Sequence, residues 1–86
     1  MRVEIYESPT KANRYLFVPA GTDISNLATS LRTEFDQGKV IKVKDLQPGE
    51  KLTAIDVDAA LDALSKNGYY LAETQIRFRE SEWGPT

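Results

Sequence analysis

Hydrophobic and polar residues alternate at the start of the chain, in two blocks separated by a turn-forming cluster. Val3 and Ile5 alternate with polar neighbours, which is the period of a strand that buries one face. The cluster Ser8–Asn13 is rich in residues that favour turns, and a second apolar block, Arg14–Val18, follows it. The pattern therefore predicts an antiparallel β-hairpin with a six-residue loop.

Between residues 22 and 38 the apolar period changes to that of a helix. Thr22 or Asp23 is the predicted N-cap, since either side chain can accept hydrogen bonds from the free N–H groups of the first turn. Gly38 is predicted to end this helix in a left-handed conformation. The apolar stripe between the two ends consists of Ile24, Leu27, Ala28, Leu31 and Phe35.

A second helix is predicted after the loop from Asp45 to Lys51, which contains a Pro-Gly turn signal. Thr53 and Asp56 are spaced like a capping box, and Asn67–Gly68 is a typical helix end. The apolar stripe of this helix consists of Val57, Ala60, Leu61 and Leu64.

Two further segments have the composition of strands. Val40–Val43 is short and mostly β-branched, and Tyr69–Arg79 alternates apolar with polar side chains. The element order is therefore β-β-α-β-α-β, which predicts one α+β domain over residues 1–79, with a small mixed four-stranded sheet and two helices on one face. Residues 80–86 are predicted to be a frayed tail, polar apart from Trp83.

The 86-residue chain contains neither cysteine nor histidine. The first absence excludes disulfides and thiol chemistry, and the second removes the usual general acid–base group and the commonest metal ligand. We therefore expect no catalytic residue, no metal site, no cofactor and no enzymatic activity. No apolar run approaches the length of a membrane span and the N-terminus lacks a secretory signal, which predicts a cytoplasmic protein that does not bind membranes.

Short motifs spread over residues 5–71 occur together in one known arrangement. The most distinctive of them is Gly68-Tyr69-Tyr70-Leu71, directly after the second predicted helix. The others are Ile5-Tyr6-x-Ser8, Tyr15-Leu16-x-Val18, Asp23, Leu31-x-x-x-Phe35, Leu46, Lys51-Leu52, Asp56-Val57 and Leu64. Together they resemble the YcgL domain family, and the resemblance implies a small bacterial α/β domain. It provides no catalytic residue, because the family has no established biochemical activity.

Strand alternation predicts that basic and aromatic side chains share one face of the sheet. If Val3, Ile5, Ile41, Val43 and Ile76 point at the helices, the opposite face is basic and partly aromatic. The predicted binding residues on that helix-free face are Tyr6, Lys42, Lys44, Tyr69, Arg77 and Arg79.

This surface predicts a protein partner or a second copy of the chain, because mixed aromatic and arginine surfaces are typical of interfaces. Single-stranded RNA is the alternative, since tyrosines stack with bases while lysines and arginines neutralise phosphates. The net charge of −2 disfavours a dedicated nucleic-acid binder. A third interpretation is that the charges only keep this face of the sheet solvated.

Overall fold

The computed structural model describes residues 1–36 and 38–84. The strands are β1 (Arg2–Glu7), β2 (Tyr15–Pro19), β3 (Val40–Asp45) and β4 (Tyr70–Ala72). The helices are α1 (Thr29–Phe35), α2 (Val57–Asn67) and α3 (Glu80–Trp83), and a 3₁₀ turn, Ile24–Asn26, precedes α1. The predicted α+β class and the four strands are confirmed.

The four strands form one sheet in the order β3-β1-β2-β4, and every neighbouring pair is antiparallel. The predicted hairpin of β1 and β2 is confirmed, with Ile5 opposite Phe17. The prediction of a mixed sheet is wrong. Both β2 and β3 run antiparallel to β1, but they lie on opposite sides of it, so strands of the same direction are never neighbours.

Helices cover both faces of the sheet. The first four residues of β2, Tyr15 to Val18, are all buried, so both sides of this strand are packed. Tyr15 and Phe17 pack on one side, in a core cluster with side chains of α2 and α3. Leu16 and Val18 pack on the other side with α1. The prediction of two helices on one face is therefore wrong. A strand that is buried on both sides requires apolar cover on both.

The first predicted helix is divided into the 3₁₀ turn and α1. Asp23 caps the turn by accepting a hydrogen bond from the backbone N–H of Ser25 at 3.0 Å. The predicted helix end at Gly38 is wrong, since α1 ends at Phe35 with Asp36 as its right-handed C-cap. Instead, a Cβ atom at this position would lie 3.0 Å from the carbonyl oxygen of Glu7 and 3.1 Å from that of Phe35. Glycine here allows the chain after α1 to pass close to β1.

The second predicted helix is confirmed as α2, with caps at both ends. The Asp56 side chain accepts a hydrogen bond from the backbone N–H of Ala59 at 3.1 Å. Gly68 ends the helix in the left-handed region, with φ of 81°. Thr53 takes no part in a capping box. Its N–H and hydroxyl donate to Glu82 of α3 instead.

The C-terminal part of the chain differs most from its prediction. The strand predicted over Tyr69–Arg79 is limited to β4, and the chain then leaves the sheet. Trp83 of α3 is 2% exposed, with its ring centroid 6.2 Å from that of Phe17 and 4.9 Å from that of Phe78. The prediction of a frayed tail is therefore wrong for residues 80–84, because Trp83 completes the core. The last two residues of the predicted tail, Pro85 and Thr86, lie outside the described residues.

Candidate functional site

The six residues predicted to share a helix-free face lie in three different places. Tyr6 and Tyr69 are on the α1 side of the sheet, half-buried against the cluster formed by Leu16 and Val18. The other four are on the opposite side of the sheet or beyond its last strand. Lys42 and Lys44 project from β3 toward the α2 and α3 side, and Arg77 and Arg79 lie in the segment between β4 and α3.

A β-bulge in β3 reverses the predicted direction of the two lysines. Ile5 is opposite Lys42 and Tyr6 is opposite Val40, so Ile41 is the extra residue of the bulge. Ile41 and Lys42 consequently lie on the same side as Ile5, and Val43 lies on the other. The alternation predicted for this strand is therefore wrong from Lys42 onward.

Both lysines have partners within the chain. The Lys42 ammonium group donates a hydrogen bond of 2.6 Å to the carbonyl oxygen of Gly84, and the side chain is buried. Lys44 forms an ion pair of 3.0 Å with Glu50. Burial raises the pKa of Glu50, but hydrogen bonds from Lys44 and from the Gln47 backbone outweigh it and hold this pKa below its ordinary value. These cations therefore stabilise the fold.

Within residues 1–36 and 38–84, no strand pairs with the outer edge of β3. Met1 and Leu46 exchange two hydrogen bonds, one from the N-terminal ammonium at 2.6 Å and one from the Leu46 N–H at 2.7 Å. Hydrogen-bonded and non-hydrogen-bonded pairs alternate in an antiparallel ladder, so the next bonded pair is Val3 with Lys44. Val43 is then in a non-bonded position, and its N–H and C=O point away from β1.

Apolar side chains accompany these free backbone groups. Val40 is 40% exposed and Val43 is 39% exposed, on the face of the sheet that α1 covers farther along, over β2. Tyr6 lies opposite Val40, and its pKa is raised by burial and by the nearby carboxylates of Glu4 and Asp23. We call Tyr6, Val40, Val43 and the outward backbone of β3 the β3 edge surface.

The opposite edge of the sheet, β4, has fewer backbone groups with which an added strand could pair. β4 has three residues, against six in β3. Its Tyr70 and Ala72 pack into the core on the α2 side, and Leu71 packs against the α1 side. An added strand would therefore find a longer row of backbone groups on β3.

A concave site lies beside α3. A cavity of about 180 Å³ is lined by the turn residues Thr53 and Ala54, by Gln75, Arg77 and Arg79, and by Glu82; we call it the arginine cleft. Glu82 accepts hydrogen bonds from the Thr53 hydroxyl at 2.7 Å and N–H at 2.9 Å. These two bonds, with the charge of Arg79, lower the pKa of Glu82.

A polar network holds the β1–β2 loop against α1. Arg14 donates to Glu34 at 2.6 Å and forms an ion pair with Glu73 at 3.1 Å. Ser8 is buried, and its hydroxyl oxygen accepts hydrogen bonds from the N–H groups of Thr10 and Lys11. Each of these groups has a partner in the chain, which is typical of a structural network.

Over residues 1–36 and 38–84, no three side chains of the metal-binding types lie close enough together to hold an ion. Within the same described residues, no helix has the length and apolar character needed to cross a bilayer.

Sequence comparison assigns this domain to a family. The family model of the YcgL domain matches residues 3–74, from β1 through β4. The chain belongs to the YcgL domain family. A YcgL domain-containing protein of Pseudoalteromonas atlantica is 34% identical over 67 residues, which are 78% of this chain and 70% of that protein. One from Aliivibrio salmonicida is 32% identical over 71 residues, covering 83% of this chain and 75% of the relative. One from Photobacterium profundum is 35% identical over 71 residues, covering 83% and 76%.

The β3 edge surface and the arginine cleft differ in whether the YcgL family match includes them. The β3 edge surface is entirely inside residues 3–74, whereas Gln75, Arg77, Arg79 and Glu82 of the arginine cleft are beyond them. The sequence analysis missed Val40 and Val43, because a single strand carries no signal of its place at a sheet edge. It also missed Ala54 and Glu82, which come together only when α3 docks.

Proposed function

We propose that this YcgL domain is a non-enzymatic interaction module that binds an extended segment of another protein along β3. The observation that supports this function is the row of outward-facing backbone groups at Val43, next to two exposed valines. A strand added to such an edge gains main-chain hydrogen bonds, and its side chains alternate between the two faces. The β3 edge surface would contact the apolar side chains of that strand.

A second copy of the chain fits this edge poorly. In a twofold antiparallel pairing centred on Val43, Lys42 of one copy faces Lys44 of the other. Pairings centred on Lys42 or Lys44 bring the same lysine against itself. Directly opposite side chains have Cβ atoms about 4.5–5.5 Å apart, and like charges in that position destabilise the pair. A strand from a different protein avoids this repulsion.

RNA binding through the predicted basic face is less favoured. Lys42 and Lys44 hold Gly84 and Glu50, and they project to the side of the sheet opposite Tyr6 and Tyr69. Single-strand recognition requires aromatic side chains and cations along one surface. The arrangement of these four residues lacks that continuity.

The test uses two substitutions at Val43 that differ in the backbone donor. Val43→Pro removes an N–H that faces away from β1, which an edge strand tolerates. Val43→Thr keeps the N–H and the β-branched shape. The wild-type chain and both variants are tethered, and proteins are captured from a bacterial lysate. The captured fraction is then added to isotope-labelled wild-type chain, and amide hydrogen exchange is measured.

We expect the wild type and Val43→Thr to capture the same protein and Val43→Pro to lose it. The captured protein should slow exchange at the Val43 amide by at least about tenfold, since a new hydrogen bond protects it. Equal capture by all three chains, or unchanged exchange at Val43, would contradict the proposal. Thermal unfolding checks that Val43→Pro folds, and the exchange measurement on wild type is decisive if it does not.

A further inference from the structure

The arginine cleft contains two guanidinium groups whose side chains make no ion pair or hydrogen bond within residues 1–36 and 38–84. Both arginines are exposed, whereas the half-buried Arg14 and Lys44 are engaged in ion pairs with Glu34 and Glu73 and with Glu50. Glu82 shares the cleft with the two arginines; both hydrogen bonds from Thr53 go to its Oε2 atom, and it forms no ion pair with either arginine in the described residues. The guanidinium donors of Arg77 and Arg79 are therefore available to a ligand.

The backbone that carries these arginines is held in place. Phe78 stands between them, with its ring centroid 5.4 Å from that of Tyr15 and 4.9 Å from that of Trp83. The N–H of Arg79 donates to the carbonyl oxygen of Arg77 at 2.9 Å, which closes a tight turn around Phe78. An anchored aromatic residue thus fixes the points from which both guanidinium groups extend.

The opposite wall is also constrained. Ala54 has φ of 79°, in the left-handed region that alanine rarely adopts. Such strain persists only where surrounding contacts maintain it, and it is frequent at ligand-binding positions. Ala54 lies in the tight turn between the bridged residues Leu52 and Ile55, and the neighbouring Thr53 bonds to Glu82. Both walls of the cleft are therefore preorganised.

We propose that the arginine cleft binds a phosphate group. The two guanidinium groups outnumber the single carboxylate of Glu82, so the cleft favours an anion, and guanidinium groups bind phosphate oxygens in a forked, two-bond geometry. The cavity of about 180 Å³ is smaller than the roughly 300–1,000 Å³ of sites for drug-sized ligands. It therefore suits a small phosphate or the phosphate end of a larger metabolite. This site is independent of the β3 edge surface.

The test is a titration of the full chain with inorganic phosphate, followed by NMR at constant ionic strength. Parallel titrations use glycerol 3-phosphate, which carries the same group on a small molecule, and acetate, which carries one negative charge. The variants are Arg77→Gln and Arg79→Gln. The matched control is Arg32→Gln, because Arg32 is an exposed arginine on α1, on the other side of the sheet.

We expect saturable shifts at Gln75, Arg77 and Arg79 with inorganic phosphate, and weaker binding of acetate. Each cleft variant should raise the dissociation constant for phosphate by about tenfold or more, as expected for loss of a charge-assisted hydrogen bond. Arg32→Gln should leave it unchanged.

Binding of both phosphate and glycerol 3-phosphate would assign the group itself, and binding of phosphate alone would assign the free ion. Either result supports the proposal. A site with two arginines should bind phosphate with a dissociation constant below about 10 mM. The proposal is overturned if phosphate gives no saturable shifts up to that concentration. Equal affinity for acetate, or an equal effect of Arg32→Gln, would also overturn it.

Discussion

The ammonium group of Lys42 donates a hydrogen bond of 2.6 Å to the carbonyl oxygen of Gly84. This contact joins the middle of β3 to the residue that ends α3, 42 positions later in the chain. The bulge in β3 makes it possible, because it turns Lys42 to the side of the sheet where α3 packs. A lysine predicted for an open binding face therefore helps to hold α3 on the sheet.

Lys42→Met should destabilise the chain by about 1–3 kcal/mol, because it removes a charge-assisted hydrogen bond and keeps the apolar stem. The only tryptophan is Trp83 in α3, so its fluorescence reports how α3 is packed. We expect a red-shifted emission in the folded variant. The measurements are urea unfolding and emission spectra.

The matched control is Lys66→Met, which removes an exposed ammonium group 3.1 Å from Asp62 on the surface of α2. Such a helical pair contributes only about 0.2–0.5 kcal/mol. If both lysine variants had the same small effect, the contact with Gly84 would have no structural role.

Trp83 is expected to tolerate phenylalanine far better than alanine. Trp83→Ala removes a ring that contacts Phe17 and Phe78, and it should cost about 3–5 kcal/mol. In the described part of the chain the indole N–H is buried without a hydrogen-bond partner, so Trp83→Phe removes no bond. We expect Trp83→Phe to cost less than half as much in thermal or urea unfolding. Equal, small effects of both variants would indicate that α3 is not part of the folded core.

The Arg14–Glu34 pair predicts a pH dependence of stability. Burial raises the pKa of Glu34, but hydrogen bonds from Arg14 and Ser8 and the charges of Arg14 and Lys11 hold it below the ordinary value of 4.5. A carboxyl with a depressed folded-state pKa stabilises the fold fully above its ordinary pKa. That contribution is lost as the pH falls from about 4.5 through the folded-state value.

Glu34→Gln should therefore lower the free energy of unfolding at pH 7 by about 1–3 kcal/mol and reduce its decline between pH 5 and pH 3. Urea unfolding at several pH values measures both effects. The control is Glu73→Gln, because the Glu73 side chain is 67% exposed and its carboxylate also pairs with Arg14. Exposed pairs contribute about 0–1 kcal/mol, so a larger effect at Glu73 than at Glu34 would contradict this assignment.

Ala54 offers a substitution that should increase stability. A left-handed backbone destabilises the folded state by roughly 1–2 kcal/mol when the residue is not glycine. Glycine removes this strain, but the greater entropy of the unfolded chain lowers the stability by about 0.4–1 kcal/mol. With φ of 79°, Ala54→Gly should therefore stabilise the chain by about 0.5 kcal/mol. Ala20→Gly is the control, because Ala20 has a negative φ and should lose stability. The two variants should have opposite signs in thermal unfolding, and a loss of stability in both would contradict strain at Ala54.

The local elements of the domain were predictable because their signals lie within a few residues. Period-two alternation from Val3 to Ile5 and the turn cluster after it specify the first hairpin. Asp56 and Gly68 mark the ends of α2 through capping and through a left-handed backbone. The YcgL resemblance also came from short motifs, and the family match over residues 3–74 agrees with it.

The position of each side chain relative to the sheet was less predictable. One bulge residue, Ile41, reverses the direction of every side chain after it in β3, and no composition signal announces a bulge. For this reason the basic face predicted from Lys42 and Lys44 is absent from the described structure. The binding roles of these residues stay predictions, while their contacts with Gly84 and Glu50 are structural.

By itself, the sequence determined the α+β class, the hairpin, the capped helix α2 and the family, since each depends on neighbouring residues or on short motifs. Tertiary structure decided which side of the sheet each helix covers and that β3 is an edge strand of the described sheet. It also decided that Trp83 joins the core and that Arg77 and Arg79 share a cavity with Thr53. These features depend on strand register and on contacts between residues far apart in the chain, and packing selects among arrangements that local patterns leave equally possible.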